Sequence, residues 1–135
     1  MKKVLVDTSV WIDALNGRKT EQTKLFERLL EQDAPLVTCP VIVQEILQGI
    51  KDDGHFQQVK ESLSGFELLK IDALEAAYGA ASLYRSIRKR GATIRKSNDC
   101  LIAFYAIFHN IVLLHNDEDF NRITQYTTLD IFKER

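Results

Sequence analysis

Short runs of consecutive apolar residues alternate along the chain with amphipathic stretches of helical period. Val4, Leu5 and Val6 are apolar on successive positions, the pattern of a strand buried on both faces. Asp7 ends that run. Val10, Trp11, Ile12 and Leu15 resume at helical spacing and predict a helix from Thr8 to about Leu15. Asn16-Gly17-Arg18 reads as a turn. Thr20 stands where a cap is needed for a helix from Glu21 to Gln32, with Leu25, Phe26, Leu29 and Leu30 inward. A second strand follows at Pro35–Cys39. Pro40 suits a first helical position, and the helix from Val41 to Ile50 turns Ile42, Val43, Ile46 and Leu47 inward. Asp52-Asp53-Gly54 breaks it, and a polar helix runs roughly from His55 to Leu63. Phe66–Ile71 predicts a third strand. Asp72 caps a long helix to about Arg90, with Gly91 as its stop. Ser97 caps an apolar helix, Asn98 to His109. Ile111–Leu114 is another buried strand, Asp117 opens a helix to about Thr124, and Thr128–Ile131 predicts a last edge strand.

Strands alternating with helices predict an α/β fold in which a mostly parallel sheet is covered on both faces. The 135 residues suit one domain, residues 1–135, with a core of ordinary size. Net charge is −1, so any affinity for nucleic acid must be local rather than global. The start of the chain lacks the pattern of a signal peptide, and no run reaches membrane-spanning length. Cys39 and Cys100 lack metal-type spacing and read as small buried thiols, which suits a cytoplasmic setting.

The acids carry the candidate chemistry. Each has an ordinary explanation. Asp7 and Asp117 are preferred helix caps, Asp99 suits a first helical turn, and Glu45 lies inside a helix. Their placement as a set is more specific. From Asp99 to Asn110 the helix advances about eleven steps of ~1.5 Å, roughly 16 Å. The segment from Ile111 to Asp117 returns about six steps of ~3.3 Å, roughly 20 Å. Asp99 and Asp117 therefore finish at one end of the domain. Asp7 also follows a buried strand, and parallel strands put it at the same carboxyl edge, where α/β sheets collect function. Glu45 borders the apolar stripe of its helix beside Gly49. Carboxylates gathered there repel one another unless something neutralises them. No lysine or arginine neighbours Asp7 or Glu45 in sequence. A hard divalent cation fits an oxygen-only donor set, Mg²⁺ or Mn²⁺ rather than Zn²⁺.

Four segments in order, Val6-Asp7-Thr8-Ser9-Val10-Trp11-Ile12-Asp13, Gln44-Glu45-Ile46-Leu47-Gln48-Gly49, Asn98-Asp99-Cys100-Leu101-Ile102-Ala103 and Leu114-His115-Asn116-Asp117-Glu118-Asp119-Phe120, resemble the motifs of the PIN-domain family. The resemblance is closer to the VapC-type toxins of bacterial toxin–antitoxin pairs, and it covers essentially the whole chain. It implies a single PIN domain: a three-layer fold with a twisted, mostly parallel sheet of four to five strands flanked by helices. It also implies a metal-dependent endoribonuclease that inhibits translation by cutting RNA, tRNA or rRNA, and leaves 5′-phosphate and 3′-hydroxyl ends. The family's acidic quartet carries over onto Asp7, Glu45, Asp99 and Asp117, with Asp119 as the competing fourth acid. Thr8 or Ser9 falls at the family's supporting hydroxyl. A homodimer and a VapB-type antitoxin are the implied partners.

No acid lies between Ala76 and Asn98, and Arg85, Arg88, Lys89, Arg90, Arg95 and Lys96 fall within that stretch. Two readings stand: a solvated helix end with cations suited to its dipole, or a strip that binds RNA phosphates beside the acids. Two alternatives to the ribonuclease also stand. A receiver-like phosphoryl-transfer domain clusters acids around Mg²⁺, but it should pair acids after the first strand and place a lysine at a late strand end. An inactive PIN domain kept for binding should have lost acids from the quartet.

Overall fold

In the computed structural model, which describes residues 2–134, four parallel strands form one sheet in the order β3-β2-β1-β4. They are β1 (Val4–Val6), β2 (Leu36–Thr38), β3 (Glu67–Leu68) and β4 (Val112–Leu114). Seven helices connect and cover them: α1 (Thr8–Leu15), α2 (Glu21–Glu31), α3 (Pro40–Gln48), α4 (Asp53–Leu63), α5 (Ala73–Lys89), α6 (Ser97–Phe108) and α7 (Glu118–Tyr126). The first strand is thus central. Leu5 pairs with Val37 on one side and Leu113 on the other. All three β1 residues are buried, as consecutive apolar positions require between two helical layers. Leu5, Ile42, Ile102, Leu113 and Phe120 are fully buried at the centre of the core. Each such side chain contributes about 1.5–3 kcal/mol through removal from water.

The helices begin where the sequence supplies caps. Thr20 and Thr23 form a reciprocal capping box on α2, and Asp72 accepts the Glu75 N–H at the start of α5. Gly91, at φ +92°, ends α5 in a conformation that side chains resist. Gly79 lets α5 approach α6 closely, since a Cβ there would lie 2.3 Å from the Phe104 ring.

Several boundaries differ from expectation, each for a local reason. The third strand shrinks from Phe66–Ile71 to Glu67–Leu68 because it sits at the sheet edge with β2 as its one neighbour. Asp53 and Gly54 belong to α4 rather than breaking the chain, since Asp52 caps that helix through the His55 N–H at 2.8 Å. Lys96, not Ser97, is the cap residue of α6, and its side chain makes no cap bond. The expected last strand is reduced to a bridge between Leu113 and Ile131. The Phe132 N–H to Leu113 carbonyl bond, at 2.8 Å, helps hold that segment beside β4. Cys39 and Cys100 are free and buried, as expected. No helix among the described residues is long and apolar enough to cross a membrane.

Candidate active site

Neighbouring strand ends bring the acids together. The Asp7 N–H donates to the Leu114 carbonyl at 2.9 Å, which holds the end of β1 against the end of β4. Asp7 caps α1 and is only 3% exposed. Its Oδ2 accepts both the Ser9 N–H at 3.0 Å and the Ser9 hydroxyl at 2.6 Å. That hydroxyl accepts the Asn116 N–H at 2.9 Å. Asp117 caps α7, where its Oδ1 accepts the Asp119 N–H at 3.0 Å. Asp99 lies in the first turn of α6 and is 3% exposed. Glu45, on α3, accepts the Thr8 hydroxyl at 2.7 Å and the Asn98 amide at 3.4 Å. The Thr8 and Ser9 hydroxyls thus bond different acids, Glu45 and Asp7.

Two carboxylate oxygens remain unanswered. Asp7 Oδ1 and Asp99 Oδ2 are buried with no hydrogen-bond partner among the described residues. Burial pushes the Asp7 carboxyl up to about 6, with Glu45 and Asp117 pushing the same way and the Ser9 bonds opposing. Asp99 rises to about 8, first through burial and then through the charges of Asp7 and Asp117. Asp117 behaves differently. Burial pushes it up, but the Lys96 ammonium, the Asp119 N–H and Arg95 outweigh that and hold it below the usual carboxylate range. One cluster thus holds two acids that resist ionisation and one that favours it. Oxygens of Asp99, Asp117 and Asp119 lie within 4.8 Å of one another. An all-oxygen donor set with orphaned carboxylate oxygens suits a hard divalent cation.

Asp117 and Asp119 have separable environments. Asp119 is fully buried and already satisfied. It accepts the Lys96 N–H at 3.1 Å, and it pairs with Arg122 at 3.0 Å and Arg95 at 3.4 Å. These bonds tie the segment before α6 to the first turn of α7. Lys96 is consequently held with its ammonium bonded to Asp117 and 3.9 Å from Asp99 Oδ2. Arg95 also lies 3.8 Å from Asp117.

This arrangement brings a protein cation to the acids. None neighbours Asp7 or Glu45 in sequence, yet Lys96 reaches the cluster from the turn before α6. It also divides the basic stretch. Arg95 and Lys96 face the acids. Arg85 and Arg88 flank a shallow cleft between α5 and α6 that reaches Ser97 and Asn98. Lys89 and Arg90, with Arg85, border a separate notch on α5. Arg88 stacks on Tyr84, with 5.5 Å from the guanidinium carbon to the ring centre. Tyr105 and Trp11 are core residues. Three further side chains bond the acids or their backbone, of which Arg122 alone lies outside the four motif segments. They are Asn98 on Glu45, Arg122 on Asp119, and His115, whose Nδ1 accepts the Asp117 N–H at 3.1 Å.

Residues 4–125 match the family profile of the PIN domain. The chain belongs to the PIN-domain family. Among its PIN-domain relatives, Ribonuclease VapC11 of Mycobacterium tuberculosis is 35% identical over 127 residues, covering 93% of this chain and 95% of the relative. Ribonuclease VapC1 of Methanocaldococcus jannaschii is 31% identical over 125 residues, covering 92% of this chain and 83% of the relative. The solved VapBC2 of Rickettsia felis, bound to a DNA fragment from its promoter, superposes with a TM-score of 0.74 at 20% identity. That superposition covers 96% of this chain and 97% of the other, and it shows a shared fold. The resemblance to VapC proteins and the three-layer PIN fold are thereby borne out. Membership of the PIN family sets aside the receiver-like alternative.

Proposed function

We propose that the protein is a Mg²⁺-dependent endoribonuclease, the toxin of a toxin–antitoxin pair. It hydrolyses phosphodiester bonds of tRNA or rRNA in the cytoplasm and so inhibits translation. One observation carries the reading: Asp7 Oδ1 and Asp99 Oδ2 are buried, without a hydrogen bond among the described residues, and adjacent to further acids. A buried polar atom without a partner costs about 1–3 kcal/mol. Two such atoms on clustered carboxylates are offset by a bound cation, with Mn²⁺ as a substitute. The names of the VapC relatives support ribonuclease chemistry.

In this reading Asp7, Asp99 and Asp117 hold the ion, and Glu45 completes the acidic edge. When bound, the ion supplies Lewis acidity, making water a better nucleophile and neutralising charge on the phosphate during in-line displacement. The chain does the positioning. Ser9 locks Asp7 Oδ2 and leaves Oδ1 as the free oxygen. Thr8 fixes one oxygen of Glu45, and His115 orients the backbone under Asp117. In the metal-free site Asp99 keeps its proton up to about pH 8. Loading releases that proton, so affinity rises with pH towards that value. Lys96 holds a positive charge beside Asp117 and Asp99, where a scissile phosphate would also lie.

We assign the two partners to exposed apolar side chains. Ile12 and Leu15 on α1 and Leu30 on α2 leave apolar surface for a VapB-type antitoxin. Leu74 and Tyr78 on α5, with Phe108 at the end of α6, leave another for a second copy of the chain.

Incubating free toxin with an RNA panel, with and without Mg²⁺, tests the activity. Cleavage should require the metal and fall more than ~100-fold in Asp7→Asn. A parent that binds RNA but cuts none of the panel in Mg²⁺ or Mn²⁺ is instead an inactive PIN domain. The role of the basic stretch has a separate measurement. Replacing both Arg95 and Lys96 with glutamine should flatten the log–log salt dependence of RNA binding by roughly one unit, if both meet phosphates. Mn²⁺ affinity should rise in the same variant, because the Lys96 ammonium no longer competes for Asp117. An unchanged salt slope assigns the pair to the acids alone.

A further inference from the structure

Beside Asp117 the surface opens into a cavity of about 510 Å³, between the start of α2, the end of β4 and the C-terminal segment. Its size suits a nucleotide-sized ligand. Its chemistry differs from that of the α5–α6 cleft at Asn98. The cleft carries Arg85 and Arg88. Among the described residues the cavity is lined by Glu21, Asp117, Glu118, Glu134 and Lys133, with Asp117 paired to Lys96 and Glu134 to Arg28. Paired carboxylates and amide edges suit an uncharged ring with hydrogen-bonding edges better than they suit a phosphate.

Three features fit such a ring. Phe132 and Ile131 line one part of the cavity, and the Phe132 N–H bond to Leu113 anchors them at 2.8 Å. An aromatic side chain offers a stacking surface to any base. His115 also lines the cavity. Its Nδ1 is occupied by the Asp117 N–H, so the neutral ring carries its proton on Nε2, a donor with no partner among the described residues. Acceptors come from the carboxylates. Glu134 is paired with Arg28, and Glu118 accepts the Asn121 amide at 3.2 Å. Glu21 has no side-chain partner among the described residues and stands exposed at the mouth. A free carboxylate accepts from an exocyclic amine.

We propose that this cavity is a nucleobase subsite, which takes an unpaired base bearing an exocyclic amine (adenine, cytosine or guanine) next to the phosphate held at the acids. Uracil lacks that amine and is the disfavoured base. The proposal rests on the ribonuclease reading and adds a source of sequence preference to it. The RNA would run between a cationic cleft that takes backbone and an acidic cavity that takes a base.

The test has two arms. In the first, parent and Glu21→Gln cut a single-stranded RNA library with randomised positions around the cleavage point. The parent should favour amine-bearing bases over uracil at one position by about tenfold, and the ratio should fall below about threefold in Glu21→Gln. Equal ratios in the two proteins overturn the proposal. Glu21 is exposed, so the substitution leaves the core untouched.

The second arm needs no cleavage. Cytidine 5′-monophosphate added to the isotopically labelled protein should shift the NMR signals of the His115 ring and the Gln22 and Asn121 side-chain amides. Uridine 5′-monophosphate and ribose 5-phosphate should shift them several-fold less. Equal shifts from all three probes, or shifts confined to Arg85 and Lys89, also overturn it. A parent that cuts no RNA yet shows the cytidine-specific shifts fails the ribonuclease reading and keeps the base subsite. Cleavage with no base-specific shift and no altered ratio does the reverse.

Discussion

Asp99→Asn is expected to silence the enzyme and stabilise the metal-free fold. Asp99 Oδ2 is buried without a hydrogen-bond partner, and the carboxyl is raised to about 8. The folded state therefore binds this proton more tightly than the unfolded chain, whose aspartates have pKa values of about 3.9. Stability from this group is fully present below about pH 4 and declines as pH rises towards 8. Removing the charge should recover up to about 5 kcal/mol at pH 8, more than ~10 °C in Tm, and almost nothing at pH 4. Turnover in Mg²⁺ should fall by more than ~100-fold. Mg²⁺ should raise the parent's Tm and barely move the variant's, because the linkage requires binding to the folded state. Thermal melts at pH 4 and pH 8 with and without metal decide it. A variant less stable than the parent at both pH values would mean that Asp99 is structurally satisfied.

Asp119→Ala should produce the opposite pattern. Its carboxylate is fully buried and shared by Arg95, Arg122 and the Lys96 N–H. Truncating it strands the Lys96 amide and releases two guanidiniums. Both guanidiniums are substantially exposed and can hydrate, which softens the loss. A cost of about 3 kcal/mol is expected, near 10 °C in Tm. Asp117→Ala removes the α7 cap and the partner of Lys96, and should cost about 1 kcal/mol, less than Asp119→Ala. It should instead weaken Mn²⁺ binding more than Asp119→Ala does. A titration in which only Asp119→Ala loses affinity reverses the roles of the two acids.

The pattern of apolar runs was enough to place the central strand and the acids at its end. Val4–Val6 and Ile111–Leu114 admit few readings other than buried strands, and the parallel arrangement then brings Asp7 and Asp117 together. Capping and chemistry proved compatible: Asp7 and Asp117 each cap a helix and still present an oxygen to the cluster. Edge elements were less legible. The strand expected at Phe66–Ile71 has one neighbour, so its length depends on pairing rather than on local pattern. Least legible was the charge balance. Lys96 and Arg95 reach the acids because Asp119, more than twenty residues away, anchors the turn that carries them. No local periodicity encodes that contact.

The strand order has a consequence for synthesis. β1 sits inside the sheet, yet its neighbour β4 is made over a hundred residues later. Until then the nascent polypeptide lacks one wall of the core and the Asp117 corner of the acid cluster. Long-range parallel pairing of this kind also forms slowly. The acid cluster is therefore incomplete until β4 and Asp117 have been made.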